Sequence, residues 1–368
     1  MAQLIRTHAA LLFSGIVTFM LMGAGQALYG PAVPAFARDF GLTLADAGWL
    51  VSALWCGSAT GVAIMFWRGP LVTPRHALAV LALGAGGIAA GFGWWGTVVS
   101  SVVFGTGYGL STVVFNPRVL RAFGAKGPSM VGLLNATFAA GAIAMPLIFV
   151  AMGSDPQKGF GLIAAVCAVT WLFAGSSGRV EEVAGATEPY RFRPLILCFA
   201  IMGIATEACL IGLGPTALIT AGAEEKLAAE ALSGFFVAFL VARSSLVFLA
   251  HRFDAFALYV AAMTVAGVAA LLAVGLPPVP LFVVIGGAAG LFFPNCYVAA
   301  CRQMGTDPRV TPTIIAAGLV GGISAPVILG QVLGGMGERG FFQIVACACL
   351  LTALAGFAVR RRMAAPGR

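Results

Sequence analysis

The chain has 368 residues, of which 60% are hydrophobic and only 9% charged. A soluble domain carries about 25% charged residues, so these charges cannot cover a water-facing surface and the chain is read as an all-α protein embedded in lipid. The net charge of +8 would fit nucleic acid on its own, but the distribution of the cations excludes that partner, as follows.

A membrane span needs about 20 apolar residues. Charges and Pro/Gly punctuation predict twelve transmembrane helices at 9–36, 43–67, 76–96, 98–120, 127–152, 158–178, 194–220, 228–250, 255–276, 279–301, 310–336 and 340–359. The apolar run from His8 to Phe36 exceeds the roughly 7–15 residues of a signal-peptide core, and it reads as the first span. Helices 3 and 4 are divided only by GFGWWGTVVSS, which has no charge. With the N-terminus in the cytoplasm, 17 of the 21 Lys and Arg fall on the cytoplasmic side; Arg38, Lys158, Lys226 and Arg339 do not. The positive-inside rule then places both termini in the cytoplasm, and it accounts for the net charge without nucleic acid.

The longest polar stretch, SGRVEEVAGATEPYRFR, divides the chain. It predicts an N-terminal six-helix bundle at 1–178, a cytoplasmic linker at 179–193 and a C-terminal six-helix bundle at 194–368. The halves repeat. Gly105, Gly109, Leu110, Arg121 and Gly124 recur 181 residues later as Gly286, Gly290, Leu291, Arg302 and Gly305. GAIAMP (141–146) recurs as GGISAP (321–326). Gly30-Pro31 matches Gly214-Pro215 at an offset of 184, as does Trp67-Arg68 with His251-Arg252. Such repetition signals a duplicated unit, the arrangement of transporters whose site lies between repeats.

The eight cysteines (Cys56, Cys167, Cys198, Cys209, Cys296, Cys301, Cys347, Cys349) sit in apolar runs as small fillers, without zinc or disulfide spacing. No metal or cofactor is expected. His8, His76 and His251 stand at span ends, and GxSxG, HExxH and the nucleotide P-loop are all missing. An enzyme is therefore not expected, and an ion gradient is the expected energy source.

The polar groups inside spans are the candidate site. Glu207 is the one acid deep in any predicted span, at a cost of roughly 2.5–3.5 kcal/mol on insertion scales. A carboxyl that gains and loses a proton according to the side it faces is what proton coupling requires; a permanently protonated acid bonded to a neighbouring helix is the alternative. Arg243, in helix 8, offers a planar fork matched to a carboxylate, or else snorkels to the interface as a gate latch. Arg118 has no counterpart in the other half, where Ala299 stands, and is a second candidate for substrate. Gln26 and Tyr29 on helix 1, and Asn295 and Tyr297 on helix 10, are candidate substrate contacts or interhelical hydrogen bonds. Asn135 on helix 5 is another polar group in an apolar span. Pro31, Pro117, Pro215 and Pro294 are candidate helix bends.

The 6+6 pattern, YGPAVPAFARDFGLT after helix 1, GTGYG in helix 4 and GAIAMP in helix 5 together resemble the major facilitator superfamily over nearly the whole chain. In that family helices 1, 4, 7 and 10 line the central cavity, which favours Gln26, Tyr29, Asn295 and Tyr297. FNPRV (115–119) is similar to helix 4 of fucose-type sugar:proton symporters, and VARSSLVFLAHRF (241–253) to helix 8 of monocarboxylate and oxalate carriers, whose Arg binds carboxylate. The loop RGPLVTPRH (68–76) keeps Gly69 and Arg75 but lacks the family's Asp. Where fucose-type symporters carry acids, helix 1 offers Gln26 and Tyr29, and helix 4 offers Ser111 and Thr112, so those coupling roles do not transfer. The resemblance implies a secondary transporter, expected as a monomer. High Ala, Gly and Val content with minimal loops points to a bacterial inner membrane. Arg243, with Arg118, for a carboxylate and Glu207 for the proton point to a proton-coupled symporter of a small organic anion. A neutral sugar or polyol symporter and a drug exporter are the alternatives.

Overall fold

The computed structural model describes residues 6–68, 71–174, 190–249, 253–305, 307, 309–333 and 335–364. Most of the predicted linker, with Gly69, His251 and Arg252, lies outside the described residues. Lipid offers no partner for a backbone N–H or C=O, so spans satisfy themselves as helices, and no strand occurs among the described residues. The helices are α1 (Ala9–Phe40), α2 (Leu44–Ala47), α3 (Trp49–Arg68), α4 (Pro74–Ala89), α5 (Gly93–Ala122), α6 (Gly127–Ala151) and α7 (Pro156–Phe173) in the first part of the chain. The second part forms α8 (Pro194–Thr220), α9 (Glu225–Leu249), α10 (Ala255–Gly275), α11 (Pro278–Ala289), α12 (Phe292–Met304), α13 (Val310–Leu333) and α14 (Gly340–Ala364).

Among the described residues, eleven stretches are long and apolar enough to cross a membrane, five before the polar linker and six after it, with α2–α3 and α11–α12 each counted as one. The remaining predicted span, α4, has only 16 residues. Its end differs from expectation. The α4–α5 break lies at Ala90–Phe92, where Gly91 and Gly93 take positive φ values of 67° and 79°, and not at the later Gly96-Thr97. Trp94 and Trp95 thus belong to α5. The predicted tenth span is interrupted between α11 and α12. Pro294, in the first turn of α12, has no N–H for the Gly290 carbonyl one turn earlier, which weakens the helix there; Pro31, Pro117 and Pro215 carry the same defect inside continuous helices.

The chain forms two compact units, Met1–Val183 and Ala184–Arg368. In the first, α1 packs mainly on α6, α3 on α5, and α4 on α5 and α7. In the second, α8 packs mainly on α13, α9 on α11, and α10 on α11 and α14. The scheme is the same. Its atomic contacts repeat as well: a Cβ on Gly105 would strike the Leu54 carbonyl, and one on Gly286 the Phe235 carbonyl; Gly109 stands likewise against Ser58, and Gly290 against Phe239. Gly141 abuts the Met20 carbonyl, as Gly321 abuts that of Ile201. The cap of α4 is Thr73 and that of α10 is Asp254.

Every one of these pairs is separated by 180 or 181 residues. That constancy corrects the offset of 184 read for Gly30-Pro31. On the register of the contacts, Pro215 corresponds to Pro34, and Glu207 corresponds to Gln26.

Each unit has an aromatic core. Phe36, Phe104, Phe115 and Phe160 are fully buried in the first unit, and Phe235, Phe256, Tyr259, Phe282 and Phe292 in the second.

Candidate functional site: the Glu207–Arg243 region

Glu207 is the midpoint of α8, with Pro194 and Thr220 each 13 residues away, about 20 Å at 1.5 Å per residue. It shares a helical face with Gly203 and Gly214, by the i, i+4, i+11 spacing. That face lies against the aromatic core: a Cβ on Gly203 would stand 3.4 Å from Tyr259 and 3.7 Å from Phe292, and one on Gly214 2.5 Å from Phe282. The carboxyl is thus turned toward α10–α12. Its Oε2 is buried and has no hydrogen-bond partner, a state that costs about 1–3 kcal/mol.

The cation whose charge acts on the Glu207 carboxylate is Arg243. No ion pair within 4.0 Å joins them. The α8–α9 turn is short, so residue 238 of α9 is level with Glu207, and the Arg243 backbone lies about 7 Å beyond that level. The side chain runs back along the helix, with the guanidinium carbon 4.7 Å from the centre of the Phe239 ring. Helical side chains lean toward the N-terminus in this way, and the cation–π contact holds this one. The head group therefore points into the span, away from its nearer end. That geometry opposes the snorkelling reading of Arg243.

Arg118 is placed differently. It is 6% exposed, and its guanidinium donates from Nη1 to the Val114 carbonyl at 3.2 Å and from Nη2 to the Val72 carbonyl at 2.8 Å. It ties α5 to the α3–α4 connection, and those donors are occupied. Tyr29 is also a core residue. Only 1% of it is exposed, and its ring lies 5.2 Å from Phe160 and 6.3 Å from Phe104. Its hydroxyl is buried without a hydrogen-bond partner.

Gln26 is buried, and its Oε1 accepts from the Tyr108 hydroxyl at 2.8 Å. Asn295 is buried and donates to the Leu291 carbonyl of its own helix at 2.7 Å. The Tyr297 ring lies tilted against Phe293 at 5.7 Å, and its hydroxyl is 2.7 Å from Thr311 Oγ1. Asn135 is exposed and bonds its own helix at Val131. Among the singled-out prolines, Pro31, Pro117 and Pro215 lie inside continuous helices, and Pro294 marks the interruption. Glu207 and Arg243 lie on successive helices of one unit; Gln26 and Tyr297 are paired with neighbouring side chains, whereas Tyr29 Oη and Arg118 Nε are buried without partners.

Two contacts escaped the sequence reading. Tyr108, the partner of Gln26, stood inside the quoted GTGYG. The exposed pair Arg302–Asp254, at 3.4 Å, carries in the second unit the acid that the α3–α4 loop of the first lacks. No group of three or more metal-ligating side chains occurs among the described residues.

A family model described as Major Facilitator Superfamily matches residues 15–317. No curated protein matches. Among solved structures, a D-xylose-proton symporter superposes with a TM-score of 0.76 at 13% identity, over 95% of this chain and 97% of its own. A nucleoside transporter gives 0.76 at 15%, over 95% and 98%. The E. coli fucose:proton symporter gives 0.64 at 16%, over 98% and 99%. At these identities the likeness concerns the fold, which is that of membrane transporters.

Proposed function

The chain belongs to the Major Facilitator Superfamily, and on that premise we propose that it is a proton-coupled symporter of a small organic anion, working by alternating access of two six-helix halves. One observation carries the reading: a half-buried glutamate at the middle of a span, with one carboxyl oxygen buried and unpartnered, and an arginine aimed inward on the next helix. Intramembrane acids are retained for function by default. Glu207 takes the coupling proton, and Arg243 takes the carboxylate of the cargo. Protonation of Glu207 removes its claim on the Arg243 charge and leaves that guanidinium to the anion; loss of the proton restores the attraction and favours release. Gln26, Asn295 and Tyr297 are kept as residues that shape the site. Arg118 and Tyr29 have structural roles.

The protein acts in this reading as a monomer in the inner membrane, with both termini cytoplasmic by the distribution of its cations. The superposed xylose and fucose symporters are proton-coupled by name, which supports the coupling ion and fits an uncharged cargo equally. A specific observation favours that second reading: Asn116 Oδ1 on α5 is buried without a partner, so it can accept from a sugar hydroxyl.

Flux in proteoliposomes tests the proposal. Addition of a transported carboxylate outside vesicles that hold a pH dye should acidify the lumen. Cargo entry without proton movement would contradict symport, and a response to neutral sugars alone would move the assignment to the second reading.

A further inference from the structure

The internal repeat sets Glu207 beside a residue that its counterpart lacks. In the first unit Gln26 has its Oε1 capped by the Tyr108 hydroxyl at 2.8 Å. The contact register of 181 residues, fixed independently by the Leu54–Gly105 and Phe235–Gly286 pairs and by their neighbours one turn on, carries Gln26 onto Glu207 and Tyr108 onto Ala289. Ala289 is the last residue of α11, at the edge of the interruption before α12. The hydroxyl that closes the pair in one half therefore has no equivalent in the other, and Glu207 Oε2 is the oxygen left without a donor. The Glu207 face of α8 is turned toward α10–α12, as the neighbours of Gly203 and Gly214 establish, so the register and the packing agree.

We propose that a hydrogen-bond donor of the cargo occupies, against Glu207, the place that the Tyr108 hydroxyl occupies against Gln26. The cargo is then a small carboxylate that carries a hydroxyl or ammonium group close to its carboxyl: the carboxylate lies on Arg243 and the donor on Glu207. A protonated carboxyl keeps an acceptor oxygen, so the contact is compatible with the proton being aboard. Ala289 becomes a specificity-determining residue, because this fully buried position brings no hydroxyl to Glu207 where the other half has that of Tyr108. The inference rests on the carboxylate reading of the preceding section.

The test is thermal unfolding of the purified full chain with propionate, lactate and alanine, which share a three-carbon skeleton and differ in the group next to the carboxyl. One net hydrogen bond corresponds to a factor of roughly 2–10 in affinity. Lactate or alanine should therefore stabilise at about a tenth to a half of the propionate concentration. Ala289→Tyr should supply the hydroxyl internally and abolish that advantage. Ala289→Ser, a smaller change that guards against a folding failure, should reduce it. Equal stabilisation by all three acids overturns this inference and leaves the carboxylate reading standing. An advantage that survives both variants places the donor elsewhere and also overturns it. Stabilisation by none of the three overturns both readings together.

Discussion

Replacing Gly286 by alanine tests the contact on which the repeat register is built. A Cβ at Gly286 would lie 2.5 Å from the Phe235 carbonyl oxygen and 2.6 Å from the first carbon of its ring. Side-chain carbons do not approach oxygen much closer than 3 Å, and the obstacle is partly backbone, so α9 and α11 must part by about 0.5 Å. Separation of that order forfeits about a quarter of the dispersion energy along the contact, and overpacking of this kind costs roughly 1–3 kcal/mol. Gly105→Ala, at the matching position of the first unit, meets the Leu54 carbonyl and should cost at least as much. Gly132 is the control: nothing lies within 4 Å of a Cβ there, and alanine in a helix interior gains up to about 1 kcal/mol. In a detergent unfolding scan, at about 2–4 °C per kcal/mol, both tight glycines should lower the midpoint by several degrees and Gly132→Ala should not. A Gly286→Ala midpoint equal to wild type would refute the close approach, and with it the register that pairs Glu207 with Gln26.

Other consequences concern single residues. Arg118→Leu leaves the Val72 carbonyl without its donor and should cost about 1–3 kcal/mol of stability with no change in cargo affinity; an affinity loss at unchanged midpoint would return Arg118 to the site. Arg243→Lys keeps the charge and loses the planar fork, so anion affinity measured by flux should fall about tenfold or more while the unfolding midpoint moves little. Pro294→Ala restores an N–H facing the Gly290 carbonyl. It should raise the midpoint by about 0.5–1.5 kcal/mol worth of hydrogen bond and slow turnover if the interruption serves movement; unchanged turnover would make the interruption passive.

Most of the helices were legible because lipid imposes a simple rule: a long apolar run flanked by charge has few alternatives to a helix. The α4–α5 junction was misplaced for the same reason. It has no charge, and the true stop depends on Gly91 and Gly93 taking positive φ, which hydropathy does not register. The interruption at Gly290–Leu291 was foreshadowed by Pro294, but a proline predicts a bend as readily as a break. Glu207 stood out because its cost is composition-independent and large. The surroundings of Tyr29 and Arg118 were not legible, because a polar atom in a span looks alike whether it faces a cavity or a core. The Phe104 and Phe160 rings around Tyr29, and the Val72 carbonyl under Arg118, come from residues 46 to 131 positions away, and no local pattern announces them. The repeat offset was blurred by the two Gly-Pro pairs, whereas backbone contacts between helices admit a single register.

The central claim is that Glu207 carries the coupling proton. Glu207→Gln keeps the shape and an acceptor oxygen but cannot bind and release a proton in the physiological range. In proteoliposomes loaded with cargo, counterflow exchange should persist in this variant at a rate comparable to wild type, while uptake driven by an imposed pH gradient should vanish. Retention of pH-driven uptake would contradict the account, and loss of both activities in a correctly folded variant would make Glu207 a structural residue.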